Sequence, residues 1–166
     1  NAAEVEIKML NKGEKGAMVF EPDFVRIEPG DSVHFVATNK GHDALSIDGM
    51  QPEGAEPFAG ELGKDITVTF TVPGVYGVKC KPHYPMGMVA LVVVGTPTNV
   101  EDAKAVKHPG KAKKVFAALS PDAFAERVLV GRLRAREVWV GPGFRYGSRR
   151  AGDLATLQAA GDRLGF

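Results

Sequence analysis

Cysteine, long apolar stretches and net charge are all scarce in this sequence of 166 residues. A single cysteine excludes disulfide pairing within the chain, and it excludes four-cysteine zinc sites and iron–sulfur clusters held by one chain. No stretch approaches about 18 uninterrupted apolar residues, so the sequence predicts no membrane-spanning helix. A formal net charge of +1 gives no overall reason to expect a nucleic acid partner. The remaining composition, 44% hydrophobic and 25% charged, is that of an ordinary globular protein.

The type of basic residue changes near residue 119. Residues 1–119 contain twelve lysines, one arginine and fifteen acidic residues, which gives a net charge of −2. Residues 120–166 contain no lysine, eight arginines and five acidic residues, which gives +3. Such a shift in composition indicates a boundary. We therefore predict a domain over residues 1–119, followed by an arginine-rich tail over residues 120–166 that is not an independent domain.

The first segment is predicted to be all β. Residues 4–10 alternate apolar and polar positions, as a half-buried strand does, and residues 89–94 are apolar on both faces, as in a covered central strand. Many short strands between Gly- and Pro-rich turns favour an antiparallel sandwich or barrel. Beyond the strands, Asn99 is expected to cap a short helix, and residues 111–119 to form a second. The other predicted strands span residues 17–20, 24–27, 32–38, 44–47, 66–71 and 75–80.

One loop between two predicted strands carries most of the metal-binding chemistry. Cys80, His83, Met86 and Met88 place a thiolate, an imidazole and two thioethers within nine residues. Soft sulfur together with imidazole favours copper, and two histidines with one cysteine and a weak axial methionine form a blue-copper electron-transfer site. His42, at the edge of a predicted strand, is the candidate for the second histidine.

Core packing, zinc binding and nucleophilic catalysis each fit this loop less well. Taken alone, a cysteine is usually a buried core residue and a methionine usually fills space in the core, so neither by itself would indicate a metal site. Zinc prefers tetrahedral sites without a thioether, and a Cys–His nucleophile pair would have no need of one. The combined Cys-x2-His-x4-Met spacing therefore favours copper over each alternative. His34 and His108 have no metal-like companion and are assigned no role.

Five stretches within residues 4–119 carry a family resemblance: MLNKGEKGAMVFEP, PGDSVHF, NKGHDALSIDGM, PGVYGVKCKPHYPMGM and VEDAKAVKHPGKAKK. In these stretches the segment resembles the pseudoazurins, bacterial periplasmic cupredoxins. The resemblance implies a Greek-key barrel with C-terminal helices and one type 1 copper ion ligated by His42, Cys80, His83 and Met88. It implies a periplasmic electron-transfer protein with copper nitrite reductase and c-type cytochromes as partners. Four protein ligands leave no open position for a substrate, so we expect a carrier and not an enzyme, and we expect it to be a monomer. A chain that starts at Asn1 without a signal segment fits a processed mature protein or a recombinant one.

The same resemblance implies that electrons leave through the ring of His83 within an apolar patch. Lysines around it are either a basic ring that steers acidic partners or ordinary solvated side chains, and we favour the ring. The family usually has Asn where this chain has Asp43, and we expect an ion pair between Asp43 and Lys81. Pro85, often a small residue in the family, is expected to stiffen the loop. The docking candidates are Met18, Pro82, Pro85 and Met86 for the patch, and Lys12, Lys40, Lys79 and Lys81 for the ring.

The last 47 residues have the pattern of a short α/β fragment. Ser120 is expected to cap a helix, residues 137–140 to form a buried strand, residues 141–150 a loop, and residues 154–164 another helix. The stretch FAERVLVGRLRAREVWVGPGFRYGSRRAGDLATL resembles part of bacterial riboflavin kinase/FAD synthetase. The alternative function is therefore a flavin- or nucleotide-binding module.

Catalysis by this fragment is not expected. That family requires a His-x-Gly-His motif for its nucleotide site, and the sequence has none. A lone strand cannot satisfy the hydrogen bonds of its own backbone groups. We therefore expect the tail to be loosely packed, or to adhere to the β barrel through Phe124, Trp139 and Phe144. Three arginines within residues 145–150 are weak grounds for phosphate or RNA binding, and a solvated loop is favoured.

Overall fold

A computed structural model of the chain describes residues 2–124, 138, 140, 145 and 152–164, with the side chains of residues 120–124 outside the description. The chain divides into two compact units, Asn1–Lys113 and Lys114–Phe166. In the described part of the chain, no helix is both long and apolar enough to cross a membrane.

Eight strands form two four-stranded sheets in the first unit. One sheet has the order β2-β1-β4-β6 and the other the order β3-β8-β7-β5. Each strand lies at or within a few residues of its predicted position, which confirms the β assignment. The strands are β1 (Glu4–Gly13), β2 (Gly16–Glu21), β3 (Phe24–Ile27), β4 (Ser32–Val36), β5 (Leu45–Ser46), β6 (Ile66–Thr69), β7 (Gly74–Lys79) and β8 (Val89–Val94).

The sheets are mixed, whereas the turn pattern favoured an antiparallel arrangement. β1 pairs in parallel with β4, and β3 pairs in parallel with β8, while the other pairs are antiparallel. A period of two places side chains on alternate faces in either direction, so the pattern carries no information on strand direction. The two strands of each parallel pair are not consecutive in the chain. This is expected, because parallel strands cannot be joined by a short hairpin and need a longer crossover connection.

The core lies between the inner faces of the two sheets. β8 is buried along its whole length between β3 and β7, as its apolar run predicted. Phe35 packs with its ring centroid 6.0 Å from that of Phe20 and 6.1 Å from that of Phe58. Cys80 and Met88 belong to the same buried cluster and have no exposed surface. The rigid core therefore extends to the loop that carries the predicted metal ligands.

The first helix, α1 (Val100–Ala105), begins after Asn99, but the side chain of Asn99 does not cap it. Instead, Asn99 Oδ1 accepts the main-chain N–H of Val75 at 2.7 Å, and its Nδ2 donates to the Val75 carbonyl at 3.0 Å. The predicted cap is therefore wrong. A primary amide has both a donor and an acceptor, so it can satisfy both main-chain groups of a buried strand residue.

The second helix, α2 (Ala112–Phe124), runs through the position where Ser120 was expected to start a new helix. Leu119 is buried and Val115 is half-buried, as the predicted apolar face requires. The expected cap at Ser120 is wrong because the helix continues through Pro121. That proline has no N–H, so α2 lacks one helical hydrogen bond there.

In the second unit, α3 (Leu154–Leu164) confirms the predicted last helix. Asp153 caps it, since Asp153 Oδ1 accepts the N–H of Thr156 at 3.0 Å and the Thr156 hydroxyl at 2.8 Å. Leu157 and Ala160 are buried on one face. Of the predicted strand at 137–140, residues 138 and 140 are described and neither is in a strand. The rest of that segment, most of the loop at 141–150, and the contacts expected of Phe124, Trp139 and Phe144 lie outside the described residues.

Candidate metal centre

Three side chains predicted as metal ligands converge at one end of the first unit. His42 Nδ1 lies 3.1 Å from His83 Nδ1, and Cys80 Sγ lies 3.7 Å from the first of these nitrogens and 3.4 Å from the second. His42 and Cys80 have no exposed surface, and His83 is half-buried. Residues 41 positions apart in the sequence thus place soft donor atoms around one point.

The spacing of these donors fits a single metal ion. The centre of a triangle with these three sides lies about 2 Å from each corner, and metal bonds to imidazole nitrogen and thiolate sulfur are about 2.0–2.3 Å long. Two imidazoles and one thiolate form the trigonal set of blue-copper sites. Within the described part of the chain, His42, Cys80 and His83 are the one group of three such residues close enough to hold a metal ion.

A series of tight turns shapes the loop between β7 and β8. The N–H of His83 donates to the Cys80 carbonyl at 3.2 Å, and the N–H of Met86 donates to the His83 carbonyl at 3.1 Å. A short 3-10 helix, Tyr84–Met86, ends at Gly87, whose φ of 91° lies in the left-handed region that glycine readily adopts. These turns direct the cysteine and the histidine toward the same point.

The backbone of Met88 closes the loop. The N–H of Cys80 donates to the Met88 carbonyl at 3.0 Å, and the N–H of Met88 donates to the His83 carbonyl at 3.2 Å. The Met88 side chain is fully buried, whereas Met86 is 49% exposed. Of the two thioethers in the loop, the one on Met88 is therefore placed for a role inside the protein.

Asn11 orients the buried imidazole of His42. Asn11 Oδ1 lies 2.8 Å from His42 Nε2, and the N–H of Asn11 donates to Asn39 Oδ1 at 2.8 Å. A carbonyl oxygen can only accept, so His42 Nε2 carries the proton and its Nδ1 keeps a free lone pair. Burial, and then the nearby His83, lower the pKa of His42, which favours this neutral form.

The thiol of Cys80 is protonated when no metal is bound. Burial raises its pKa to about 11, while the main-chain N–H groups of Asp43 and His83 oppose the shift and the Asp43 carboxylate adds to it. A thiolate is the form that binds metal. Metal binding must therefore displace this proton.

The expected ion pair between Asp43 and Lys81 is not formed. Asp43 Oδ1 instead accepts the main-chain N–H of Lys81 at 2.7 Å, and the ion pairs among the described residues do not include these two side chains. Asp43 is buried while Lys81 is exposed, so the lysine side chain stays in water. This hydrogen bond connects the loop of His42 and Asp43 to the loop of Cys80 and His83 through the main-chain N–H of Lys81.

The residues predicted to dock partners differ in exposure. Met86, Pro82 and Pro85 are exposed around the half-buried His83, and Met18 is half-buried with a φ of 53°, which is unusual for a residue with a side chain. Lys12, Lys40 and Lys81 are exposed. Lys79 is half-buried, with Nζ 5.2 Å from the centroid of the Tyr84 ring.

Sequence reasoning did not identify two polar contacts of the ligand loops. Asn11 lies in a strand far from the loop motif, and a single Asn carries no spacing signal. His108 was assigned no role, yet its Nδ1 lies 2.7 Å from the hydroxyl of Tyr84, the neighbour of His83.

In the second unit, the exposed Arg145 places Nη1 3.5 Å from Asp153 Oδ2.

Comparisons with known proteins agree with this geometry. Residues 7–95 match a family model described as copper binding proteins of the plastocyanin/azurin family. A pseudoazurin of Paracoccus pantotrophus is 54% identical over 114 residues, covering 68% of this chain and 79% of the relative. The crystal structure of pseudoazurin from Methylobacterium extorquens AM1 superposes with a TM-score of 0.67 and 50% identity, covering 71% of this chain and 94% of that one. Pseudoazurin from Hyphomicrobium denitrificans gives a TM-score of 0.66 and 45% identity, covering 68% and 92%.

The C-terminal part matches a different family. Residues 111–166 match a family model described as FAD synthetase, in agreement with the resemblance seen in the sequence. This match covers about a third of the chain. The copper-binding match covers more than half, and it contains three converging donor residues with the spacing of a copper site. The chain therefore belongs to the plastocyanin/azurin family of copper-binding proteins and, within that family, to the pseudoazurins.

Proposed function

We propose that His42, Cys80, His83 and Met88 hold one type 1 copper ion on which this electron-transfer protein carries a single electron. The observation that carries this assignment is the convergence of His42, Cys80 and His83, whose donor atoms lie within 4.8 Å of one another. Bound copper supplies a one-electron couple between Cu(II) and Cu(I). The buried thioether of Met88 supplies the weak axial donor of such sites.

The surrounding residues suit this role by holding their positions. Asn11 fixes the ring of His42, and the turns of the loop fix Cys80 and His83. Four protein donors leave no open position for a substrate, whereas a catalytic metal site keeps one. The half-buried edge of His83, next to exposed Met86, is the proposed route for the electron.

Adding Cu(II) to the purified protein tests the ligand assignment. We expect an intense blue colour that Cys80→Ser abolishes, because the colour depends on the copper–thiolate bond. His34→Ala is the matched control, since His34 lies in β4 and contacts Asp65. A colourless protein, or a blue Cys80→Ser variant, would contradict the assignment. A colourless protein that retains flavin would favour the alternative binding function.

We further propose that the protein works in the periplasm and donates electrons to a redox enzyme such as copper nitrite reductase, with c-type cytochromes as further partners. Exposed lysines near the ligand loops support docking to an acidic surface, since complementary charge accelerates encounter. The proposed docking surface comprises Met18, Lys12, Lys40, Lys79, Lys81, Pro82 and Met86.

The salt dependence of electron transfer to a copper nitrite reductase tests this surface. We expect Lys40→Gln and Lys81→Gln to lower the second-order rate at low ionic strength and to flatten its decline with added salt. Lys104→Gln is the control, because Lys104 lies on α1, which follows the strand end opposite to Cys80. Equal losses in all three variants would exclude local steering.

We also propose that residues 1–119 form the copper-carrying domain and that residues 120–166 are an added fragment. The division of the chain after Lys113 and the separate family matches, one over residues 7–95 and the other over residues 111–166, support this proposal. A chain of residues 1–119 should turn as blue with Cu(II) as the full chain. Flavin bound by the full chain but not by residues 1–119 would show that the fragment has a function of its own.

A further inference from the structure

Residues 106–111, between α1 and α2, contact the loop between β7 and β8 at two points. That loop carries His83, one of the proposed copper ligands. The N–H of Lys111 donates to the Pro85 carbonyl at 2.9 Å. His108 Nδ1 lies 2.7 Å from the Tyr84 hydroxyl, and the two rings meet edge to face with centroids 6.1 Å apart. One contact thus joins the backbones and the other joins the side chains, and both reach the short 3-10 helix that follows His83.

The backbones approach closely at Gly110. Its φ of 52° lies in the left-handed region, and a Cβ at this position would overlap the Pro85 carbonyl oxygen. A residue without a side chain is therefore required for the segment to reach the loop. This close fit indicates that the segment holds the loop from one side rather than passing near it.

The contact between Tyr84 and His108 is suited to hold the loop in place. Both side chains are half-buried. At the observed separation of 2.7 Å, the phenol hydroxyl can donate to the lone pair of His108 Nδ1. The ammonium of Lys79 lies over the Tyr84 ring and adds a cation–π contact to the same side chain.

We propose that His108 is a positioning residue of the copper centre, which holds Tyr84 and thereby keeps His83 and Met88 in their ligating arrangement. The proposal rests on the ligand assignment given above. A site that changes little between its two oxidation states needs ligands that are fixed before the metal binds. Three of the four proposed donors lie within nine residues of one loop, so fastening that loop fixes most of the site.

Copper release and amide exchange in the full chain test this proposal. We expect His108→Leu and Tyr84→Phe each to speed loss of the blue colour to excess EDTA about fivefold, the factor of one net hydrogen bond. The double variant should lose copper no faster than either single one, because both remove the same contact. Without copper, amides of residues 83–88 should exchange faster in both variants.

His108→Asn distinguishes positioning from packing. Its side-chain oxygen can accept the Tyr84 hydroxyl, so we expect it to restore slow release and slow exchange, whereas His108→Leu replaces only the bulk. His34→Leu is the control and should change neither quantity.

Release and exchange unchanged in His108→Leu, additive effects in the double variant, or an Asn variant as impaired as Leu would overturn the proposal. Tyr84→Phe keeps the ring and preserves the test if His108→Leu fails to fold. If the full chain forms no blue site, the ligand assignment fails, while amide exchange in the copper-free protein still decides whether His108 holds the loop.

Discussion

Asp43 brings a buried carboxylate next to the thiol of Cys80. Its oxygen Oδ1 accepts the main-chain N–H of Lys81 rather than pairing with the lysine side chain, so the pair that the sequence suggested does not neutralise the carboxylate charge. A nearby negative charge favours the more positive of two charge states. At a copper centre that state is the oxidised one.

Replacing Asp43 with Asn should therefore raise the reduction potential of the copper-loaded protein. We expect an increase of about 60 mV, which corresponds to a tenfold change in a one-electron equilibrium. The amide oxygen can still accept the Lys81 N–H, so the loop tie survives. Cyclic voltammetry measures the shift, and Asp48→Asn, at an exposed position, is the control. A potential that does not move would show that water screens the carboxylate.

We predict that copper uptake depends on pH, because the thiol of Cys80 must lose its proton when copper binds. Burial raises its pKa to about 11, so the proton is still present near neutral pH and must leave when the metal binds. The apparent affinity should therefore rise about tenfold per pH unit from this proton. Competition with a chelator at neutral and at mildly alkaline pH, with proton release followed by an indicator dye, measures both effects. Uptake without proton release would mean that the thiolate is already formed.

The convergence of His42, Cys80 and His83 agrees with the ligand set proposed from the sequence, where one loop carries three of the four candidates at a distinctive spacing. Asn11 and His108 could not be predicted from the sequence, since each contacts the ligand loops through tertiary structure and has no partner near it in the sequence. A polar residue in a strand or a linker is usually solvated, and the sequence alone favours that interpretation.

Among the elements, the strands were predictable and their directions were not. Alternation located β1 and the apolar run located β8, because burial determines both patterns. Whether β1 runs parallel to β4 depends on how the connections cross the sandwich, which no local pattern records. Asn99 shows the same limit, since its side chain meets Val75 on a neighbouring strand instead of its own helix.

We predict that the turn between β3 and β4 makes the free energy of unfolding sensitive to acid. Asp31 Oδ1 accepts the N–H of Ala3 at 2.7 Å, and its Oδ2 accepts the N–H of Glu28 at 2.9 Å. These backbone donors lower the pKa of Asp31, so its contribution is complete above the ordinary carboxyl pKa and is lost as pH falls through the lowered value. Asp31→Ala should reduce the free energy of unfolding at neutral pH by more than it does in strong acid.

Urea unfolding of the copper-free protein at the two pH values measures this difference. Asp48→Ala should give the same small change at both, because Asp48 is an exposed acid without this pair of backbone donors. If Asp31→Ala destabilised the protein equally at neutral and at acid pH, the loss would come from packing rather than from the carboxylate.

At the scale of the whole molecule, two signs of a boundary lie close together. The change from lysine to arginine falls near residue 119, and the compact units divide after Lys113, within the first turn of α2. A net charge of +1 is thus the sum of −2 and +3 on two segments of different character. If these segments fold separately, a ligand of one should leave the other unaffected.

Calorimetry with and without copper tests that independence. Copper binds only the folded first unit in our assignment, so saturating metal at about a thousand times Kd should stabilise that unit by about 4 kcal/mol. We expect the corresponding transition to move to higher temperature and any transition of residues 120–166 to stay where it was. Cys80→Ser should abolish the shift, since it removes the thiolate. A single transition that moves as a whole with copper, and whose unfolding enthalpy falls when residues 120–166 are removed, would show instead that the added segment unfolds together with the copper-carrying domain.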